Sequence, residues 1–400
     1  MKPVEIKNGI WQIPVIDWNA RDFHGYSIYN GTTYNAYLAL GDKITLFDTV
    51  KKEFSDDLVN QIKQIIGDSG IDYIVVNHAE PDHSGSLLRI AKEFKVQKIF
   101  LSKVCKQAII EHYHDDTLPF VTLSDGEEID IGGKTIHFME TRMLHWPDSC
   151  FSYLKEDRIL ISSDAFGHHW ATAERFDDEV DFSALMNHSK KYYANILMPY
   201  APMAAKLMKK VADMGIPIDI IAPDHGVIWR KNINSILSAY IDWSACKLSD
   251  KAIVVYDTMW KSTEKMATYI LDGLKTEGLN AELLNLRFNH RSDVMTKMLD
   301  ASVVIFGSPT LNNGILPTVS DMLCYMRGLK PTGGRIGGAF GSYGWSGEAV
   351  AEIKEYMLKA GFEMPLEPIK AKYVPVKDML DKCFEFGKEL AMKVRSKILV

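Results

Sequence analysis

The sequence predicts two α/β domains joined near residue 248, the second a doubly wound parallel sheet of five strands. Three observations predict this. Apolar runs of strand length alternate with stretches of helical spacing. The alternation stops in a long helical stretch, NINSILSAYIDWSACK at 232–247, and restarts with the strand-like KAIVVYD at 251–257. The chain's 400 residues also exceed one ordinary domain. The domains are expected over 1–248 and 249–400.

In the first domain, KITLFDT (43–49) is the first expected strand. DLVNQIKQII (57–66) places Leu58, Ile62, Ile65 and Ile66 on one helical face. IDYIVVN (71–77) is an apolar run bounded by Gly70 and a polar cluster, so it is read as a buried strand. SLLRIAKEF (86–94) returns to helical spacing, and KIFLS, TIHFME, RILISS and IDIIAP follow as strands. In the second domain, EKMATYILDGLKTEG (264–278) is a helix stopped by a glycine. AELLNL, ASVVIFGS and RIGGAFGS are strands with helical segments between them. The tail holds a strand candidate, LEPIKAKYV, and a last helix, KDMLDKCFEFGKELAMKV. Strands that alternate with helices in this way imply a parallel sheet.

Composition narrows the function classes. A hydrophobic fraction of 46% with 24% charged residues is that of a soluble globular chain. The net charge of −6 argues against broad nucleic-acid binding, which needs a basic surface. No apolar run reaches membrane-spanning length, and the N-terminus lacks a signal-peptide pattern. A cytoplasmic protein with no membrane partner is expected. The five cysteines, Cys105, Cys150, Cys246, Cys324 and Cys383, are widely spaced and form no CxxC pair. A thiolate zinc ribbon or rubredoxin-type iron site is therefore not expected, and free thiols in a reducing compartment are.

NHAEPDHSG (77–85) concentrates metal-ligand types directly after a buried strand: His78, Glu80, Asp82 and His83. His145 in LHWPDS, Asp164 at the end of RILISSD and His225 in IDIIAPDH occupy equivalent places at predicted strand ends. In an open α/β architecture such ends converge on one crevice. Seven ligands exceed one ion and suit two, with Asp164 as the natural bridging carboxylate. His112, His114, His168 and His169 are expected at the surface or in supporting positions, and His137 and His290 have no constellation around them.

HxExDH followed by a distant His, Asp and His resembles the metallo-β-lactamase superfamily, whose hydrolases usually carry His where this chain has Glu80. A carboxylate there adds negative charge and a hard donor, which suits non-haem iron better than zinc.

YDTMWKST (256–263) joins a strand to a helix and lacks both GxGxxG and the Gly-Lys-Ser/Thr of a nucleotide loop. Thr258, Ser262 and Thr263 supply hydroxyls at a helix N-terminus, beside Met259 and Trp260, which suits a single phosphate monoester. SPTLNNGILP (308–317) contributes Pro309, Thr310, Asn312, Asn313 and Gly314 where a flat ring would lie. GSYGWSG (341–347) contributes Ser342, Tyr343, Gly344, Trp345 and Gly347; the two aromatic rings can stack on an isoalloxazine. This trio of loops resembles the flavodoxin family, and the implied cofactor is FMN.

HAEPDH, LHWPDS, SSDAFG, APDHG, YDTMWKST, SPTLNNG and GSYGWSG together resemble the flavodiiron proteins (A-type flavoproteins) over essentially the whole chain. The resemblance implies a metallo-β-lactamase-like αββα sandwich followed by a flavodoxin-like five-stranded parallel sheet. It implies reduction of dioxygen to water, of nitric oxide to nitrous oxide, or both, at two non-haem iron ions. His78, Glu80 and His145 would hold one iron, Asp82, His83 and His225 the other, and Asp164 would bridge. FMN would relay electrons from an external donor, either rubredoxin or a reduced deazaflavin coenzyme. A head-to-tail homodimer, or a dimer of dimers, would bring the FMN of one chain to the irons of the other. His24 in RDFHGY and either Tyr192 or Tyr193 in KYY would supply protons and hydrogen bonds, with Trp146 as a wall. The competing readings are a dizinc hydrolase with a regulatory flavodoxin domain and a non-enzymatic electron carrier or gas sensor. Glu80 and the flavin loops disfavour the hydrolase, and the absence of a signalling motif disfavours the sensor.

Overall fold

The computed structural model describes residues 2–331 and 333–398. The chain divides into two compact units, one of Met1–His24, Ile28–Tyr192 and Pro202–Ile241, the other of Gly25–Ser27, Tyr193–Ala201 and Asp242–Val400.

The first unit contains two stacked sheets. The larger has seven strands, in the order Val4–Lys7, Ile10–Asp17, Thr32–Ala39, Thr45–Phe47, Tyr73–Val75, Lys98–Ser102 and Phe120–Leu123. The smaller has five: Glu128–Asp130, Thr135–Glu140, Cys150–Leu154, Ile159–Ile161 and Ile220–Ala222. Tyr37, Phe47, Val75 and Phe100 on the large sheet meet Ile136, Phe138, Leu154 and Ile161 on the small one. The other face of the large sheet buries Leu58 and Ile62 of the helix Ser55–Ile66, and Leu87 and Ile90 of the helix Leu87–Glu93. Each such side chain contributes about 1.5–3 kcal/mol on full burial. A large sheet covered on both faces explains why the strands here read as apolar runs.

Strand direction places the site. Cys150–Leu154 runs antiparallel to both neighbours, while Ile159–Ile161 and Ile220–Ala222 are parallel. Thr135–Glu140, Ile159–Ile161 and Ile220–Ala222 therefore end at one edge. The ligand-bearing strand ends come from both sheets of a sandwich, where the sequence suggested the crevice of one open sheet.

Five strands before residue 43, three of them in the large sheet, carried no sequence expectation. Thr32–Ala39 is buried at every position yet holds Thr32, Thr33 and Asn35, which mask its apolar character. Asn35 is satisfied by the carbonyls of Pro223 (2.8 Å) and Gly226 (3.0 Å). The helices Phe182–Tyr192 and Ala201–Met214 and the strand Cys150–Leu154 were likewise not anticipated.

The second unit has one parallel sheet, in the order Asn280–Asn285, Ser249–Tyr256, Ala301–Gly307, Ile336–Tyr343 and Ile369–Lys372. This 2-1-3-4-5 order reverses direction at its first strand, and ligands bind at such a switch point. The strand candidate in the tail shortens to Ile369–Lys372. Among the described residues no helix is long and apolar enough to cross a membrane.

Candidate functional site

His78 and Glu80 follow the strand Tyr73–Val75, and Asp82 and His83 lie on the short helix Pro81–Ser84 that starts on a proline. His145, Asp164 and His225 follow Thr135–Glu140, Ile159–Ile161 and Ile220–Ala222. Their ligand atoms gather into two groups: His78, Glu80, His145 and Asp164, and then Asp82, His83 and His225. In the first group Glu80 Oε2 lies 3.1 Å from His78 Nε2 and 3.1 Å from His145 Nε2. Asp164 Oδ2 lies 3.4 Å from His78 Nε2 and 3.2 Å from His145 Nε2. In the second group Asp82 Oδ1 is 3.5 Å from His83 Nε2, and Asp82 Oδ2 is 3.3 Å from His225 Nε2. The other oxygen of Asp164, Oδ1, joins this group at 3.2 Å from His83 Nε2 and 3.4 Å from His225 Nε2.

These spacings fit two cations. Ligands about 2.1 Å from a common ion are about 3.0 Å apart at octahedral angles and about 3.4 Å apart at tetrahedral ones. Every distance above falls in or within a tenth of an ångström of that interval. Among the described residues, both oxygens of Asp82 and Oδ2 of Asp164 accept no hydrogen bond although they are buried. Buried carboxylate oxygens without donors are costly unless a cation meets them. Burial opposes charge on Asp164, yet the imidazoles of His83 and His145 hold it well below the usual carboxylate range.

A second set of residues aims the ligands. Asp148 Oδ2 lies 3.4 Å from His78 Nδ1 and accepts from the Ala79 N–H at 2.7 Å. Asp224 Oδ2 lies 3.7 Å from His83 Nδ1, and His225 Nδ1 donates to the Thr33 carbonyl at 2.6 Å. Asp48 holds Asn77 through its N–H (2.7 Å) and Nδ2 (2.6 Å), just ahead of His78. Sequence reasoning assigned no role to Asp148, Asp224, Thr33 or Asp48. The signal available was that Asp148 and Asp224 lie inside LHWPDS and APDH, next to ligands.

His24 sits at the mouth with φ +54° and its Nε2 2.9 Å from Glu80 Oε1; that hydrogen bond raises its pKa above the ordinary value. Phe23 packs on it, ring centroids 4.4 Å apart. Of the two tyrosines, Tyr192 lies beside His169 (5.1 Å) and His225 (6.2 Å). Burial keeps its phenol protonated by raising its pKa well above 10. Tyr193 packs instead on Trp243, 5.3 Å away, within the second unit. Of the two expected tyrosines Tyr193 therefore does not face the ligands: successive helical residues point about 100° apart, so one of the pair must turn away. Trp146 meets His78 edge-on at 5.0 Å and His112 stacks on it at 6.0 Å. His168 and His169 are fully buried. Burial pushes the His168 imidazole down to about 3. His114 ends the helix Lys103–Tyr113, His137 faces Glu128 at 3.3 Å, and His290 accepts from Ser292 N at a helix start.

The second unit has a cleft of about 560 Å³ at the ends of its strands. Met259, Trp260 and Ser262 line it from the first loop. Pro309, Thr310 and Asn312 line it from the second, and Ser342, Tyr343, Gly344 and Trp345 from the third. Trp260 and Trp345 are 91% and 85% exposed, so two large apolar rings stand in solvent at the cleft. Thr258 lies buried with its Oγ1 unpaired among the described residues, as does Thr310 Oγ1. The Thr310 hydroxyl, held that way in the cleft lining, fits a polar ligand there, whereas Thr258, Thr263, Asn313, Gly314 and Gly347 lie outside the lining. Thr263 Oγ1 pairs with Ser342 Oγ at 2.9 Å and ties the first loop to the third. Asn313 faces Ser346 at 3.4 Å, Gly314 pairs with Leu311 in a small hairpin, and Gly347 turns at φ +103° against the Tyr343 ring. Leu311, Tyr373 and Val374 also line the cleft and were missed; the last two follow the fifth strand, the available signal.

Residues 32–226 match the ODP family beta lactamase and residues 254–387 match Flavodoxin. The chain is 40% identical to the nitric oxide reductase of Moorella thermoacetica over 98% of this chain and 99% of that one. It superposes on the rubredoxin oxygen:oxidoreductase of the anaerobe Desulfovibrio gigas with a TM-score of 0.97, 40% identity and full coverage of both chains. For the flavodiiron protein of Giardia intestinalis the TM-score is 0.94, at 32% identity over 99% of this chain and 97% of that one.

Proposed function

This chain belongs to the flavodiiron protein family, and from that premise we propose that it reduces dioxygen to water, nitric oxide to nitrous oxide, or both, at two irons. One observation carries the reading: the two oxygens of Asp164 each face a separate group of ligands, and one of those groups contains Glu80. His78, Glu80 and His145 would hold one iron, Asp82, His83 and His225 would hold the other, and Asp164 would serve both. The cleft of the second unit would hold FMN, with Thr258, Ser262 and Thr263 serving its phosphate and Tyr343 and Trp345 its ring. When bound, two ferrous ions and a reduced flavin supply the four electrons that take dioxygen to water.

The chain's own residues place and protonate. Asp148 and the Thr33 carbonyl fix the outer ring nitrogens of His78 and His225, and the Asp224 carboxylate stands 3.7 Å behind that of His83. His24 keeps a proton on Nε2 facing Glu80, with much of its ring in solvent, so it can be reloaded from water. Tyr192, buried beside His169 and His225, keeps a neutral hydroxyl on the ligand side of the site. Electrons enter from an external donor, rubredoxin or a reduced deazaflavin coenzyme. Assembly as a head-to-tail homodimer, or a dimer of dimers, brings the flavin of one chain to the irons of another.

The test is metal and flavin content of protein purified without added metal, followed by gas consumption with and without reductant. About two irons and one FMN per chain, with uptake of dioxygen or nitric oxide only under reduction, support the reading. Two zincs, no flavin and hydrolysis without reductant would overturn it.

A further inference from the structure

The loop expected to hold the flavin phosphate begins with a carboxylate, an unusual group beside an anion. Asp257 is 2% exposed. Its Oδ1 accepts from the Thr258 N–H at 2.6 Å and from Arg287 Nε at 2.7 Å, and its Oδ2 accepts from Thr318 Oγ1 at 2.6 Å. Arg287 also donates to the Thr258 carbonyl. These partners come from three places: the end of the first strand, the end of the second, and the start of the helix Pro317–Leu329. One carboxylate therefore ties together the phosphate loop and the foot of the ring loop, and it fixes Thr258, whose buried Oγ1 has no partner among the described residues. The helix Ser262–Thr276 that follows has no side-chain cap at Lys261, so its first N–H groups are open to an anion.

We propose that Asp257 is the positioning residue of the phosphate loop and that Arg287 cancels its charge so that the loop accepts a phosphate monoester. The proposal rests on the FMN reading above. A phosphate monoester carries between one and two negative charges at neutral pH. An uncompensated carboxylate at the base of the loop would repel it, so the brace works only with its cation in place.

The test uses the full-length protein with its flavin removed, titrated with FMN and with riboflavin by flavin fluorescence quenching. Riboflavin has the same ring without the phosphate. Arg287→Met is expected to weaken FMN binding on the order of tenfold or more and riboflavin binding far less. Arg287→Lys, which keeps the charge, is expected to retain most of the FMN affinity. The double variant Asp257→Asn, Arg287→Met is expected to recover most of what the single loses. Equal losses for FMN and riboflavin, a lysine variant as weak as the methionine one, or no recovery in the double variant would each overturn the proposal. Wild-type protein that binds riboflavin as tightly as FMN would instead overturn the phosphate reading itself.

Discussion

Asp148 provides the sharpest test of how the metal centre is built. Its Oδ2 accepts from the Ala79 N–H at 2.7 Å and faces His78 Nδ1 at 3.4 Å, in a site where Asp148 is 2% exposed. Burial opposes its charge, but the hydrogen bond with His78 keeps its pKa below the ordinary value. The carboxylate thus makes His78 a better donor through Nε2. Asp148→Asn keeps an oxygen for one of its two partners and removes the charge. Outer partners of this kind are worth roughly 10–100-fold in metal affinity, or about 1.4–2.7 kcal/mol. Asp148→Ala also strands the Ala79 N–H, which adds about 1–3 kcal/mol of destabilisation. Chelator competition, read as iron retained per chain, should show the weakening in the group of His78, Glu80 and His145 and leave the group of His83 and His225 intact. FMN content of the same preparation reports whether the fold survives. Wild-type iron affinity in both variants would refute the argument, and so would parallel loss of iron and flavin.

Glu80→Ala is expected to abolish reductive gas uptake, by on the order of 100-fold or more, since it deletes a ligand rather than a ligand's support; full FMN content should persist, and retained uptake would count against the assignment. Gly226 has φ +84°, and a Cβ there would lie 2.2 Å from His168 Nε2, so Gly226→Ala should cost about 2–4 kcal/mol in a denaturant or thermal unfolding experiment. His188 stacks on Trp170 at 4.7 Å, and burial pushes its imidazole down to about 4. The folded state therefore binds fewer protons than the unfolded one between pH 6.5 and 4, and stability falls as pH drops through that window. His188→Phe should remove up to about 2 kcal/mol of this decline, the shift being discounted for partial exposure; unchanged pH dependence would contradict it.

Much of the chemistry was legible because it is written locally. Ligand types that follow apolar strand-length runs gave all seven metal candidates, and the structure gathers their donor atoms into two groups. The cleft loops were legible for the same reason, since each follows a strand of a parallel sheet. Thr32–Ala39 was not, because its buried polar residues find partners far along the chain: Asn35 bonds Pro223 and Gly226. A local pattern cannot anticipate such compensation, so the segment looks polar.

By itself the sequence determined which donors exist, their order along the chain, and a carboxylate at position 80 where hydrolases usually carry histidine. Only the tertiary structure decided what each side chain meets. It chose Tyr192 over Tyr193, because adjacent helical residues face different ways and one short segment supplies both. It set Asp148 behind His78, seventy residues away, and Asp224 behind His83. It gave Asp257 an arginine thirty residues along and a threonine sixty-one along. The physical reason is range: periodicity and turn chemistry act over a few residues, whereas these pairs exist only after two sheets stack or parallel strands align their ends.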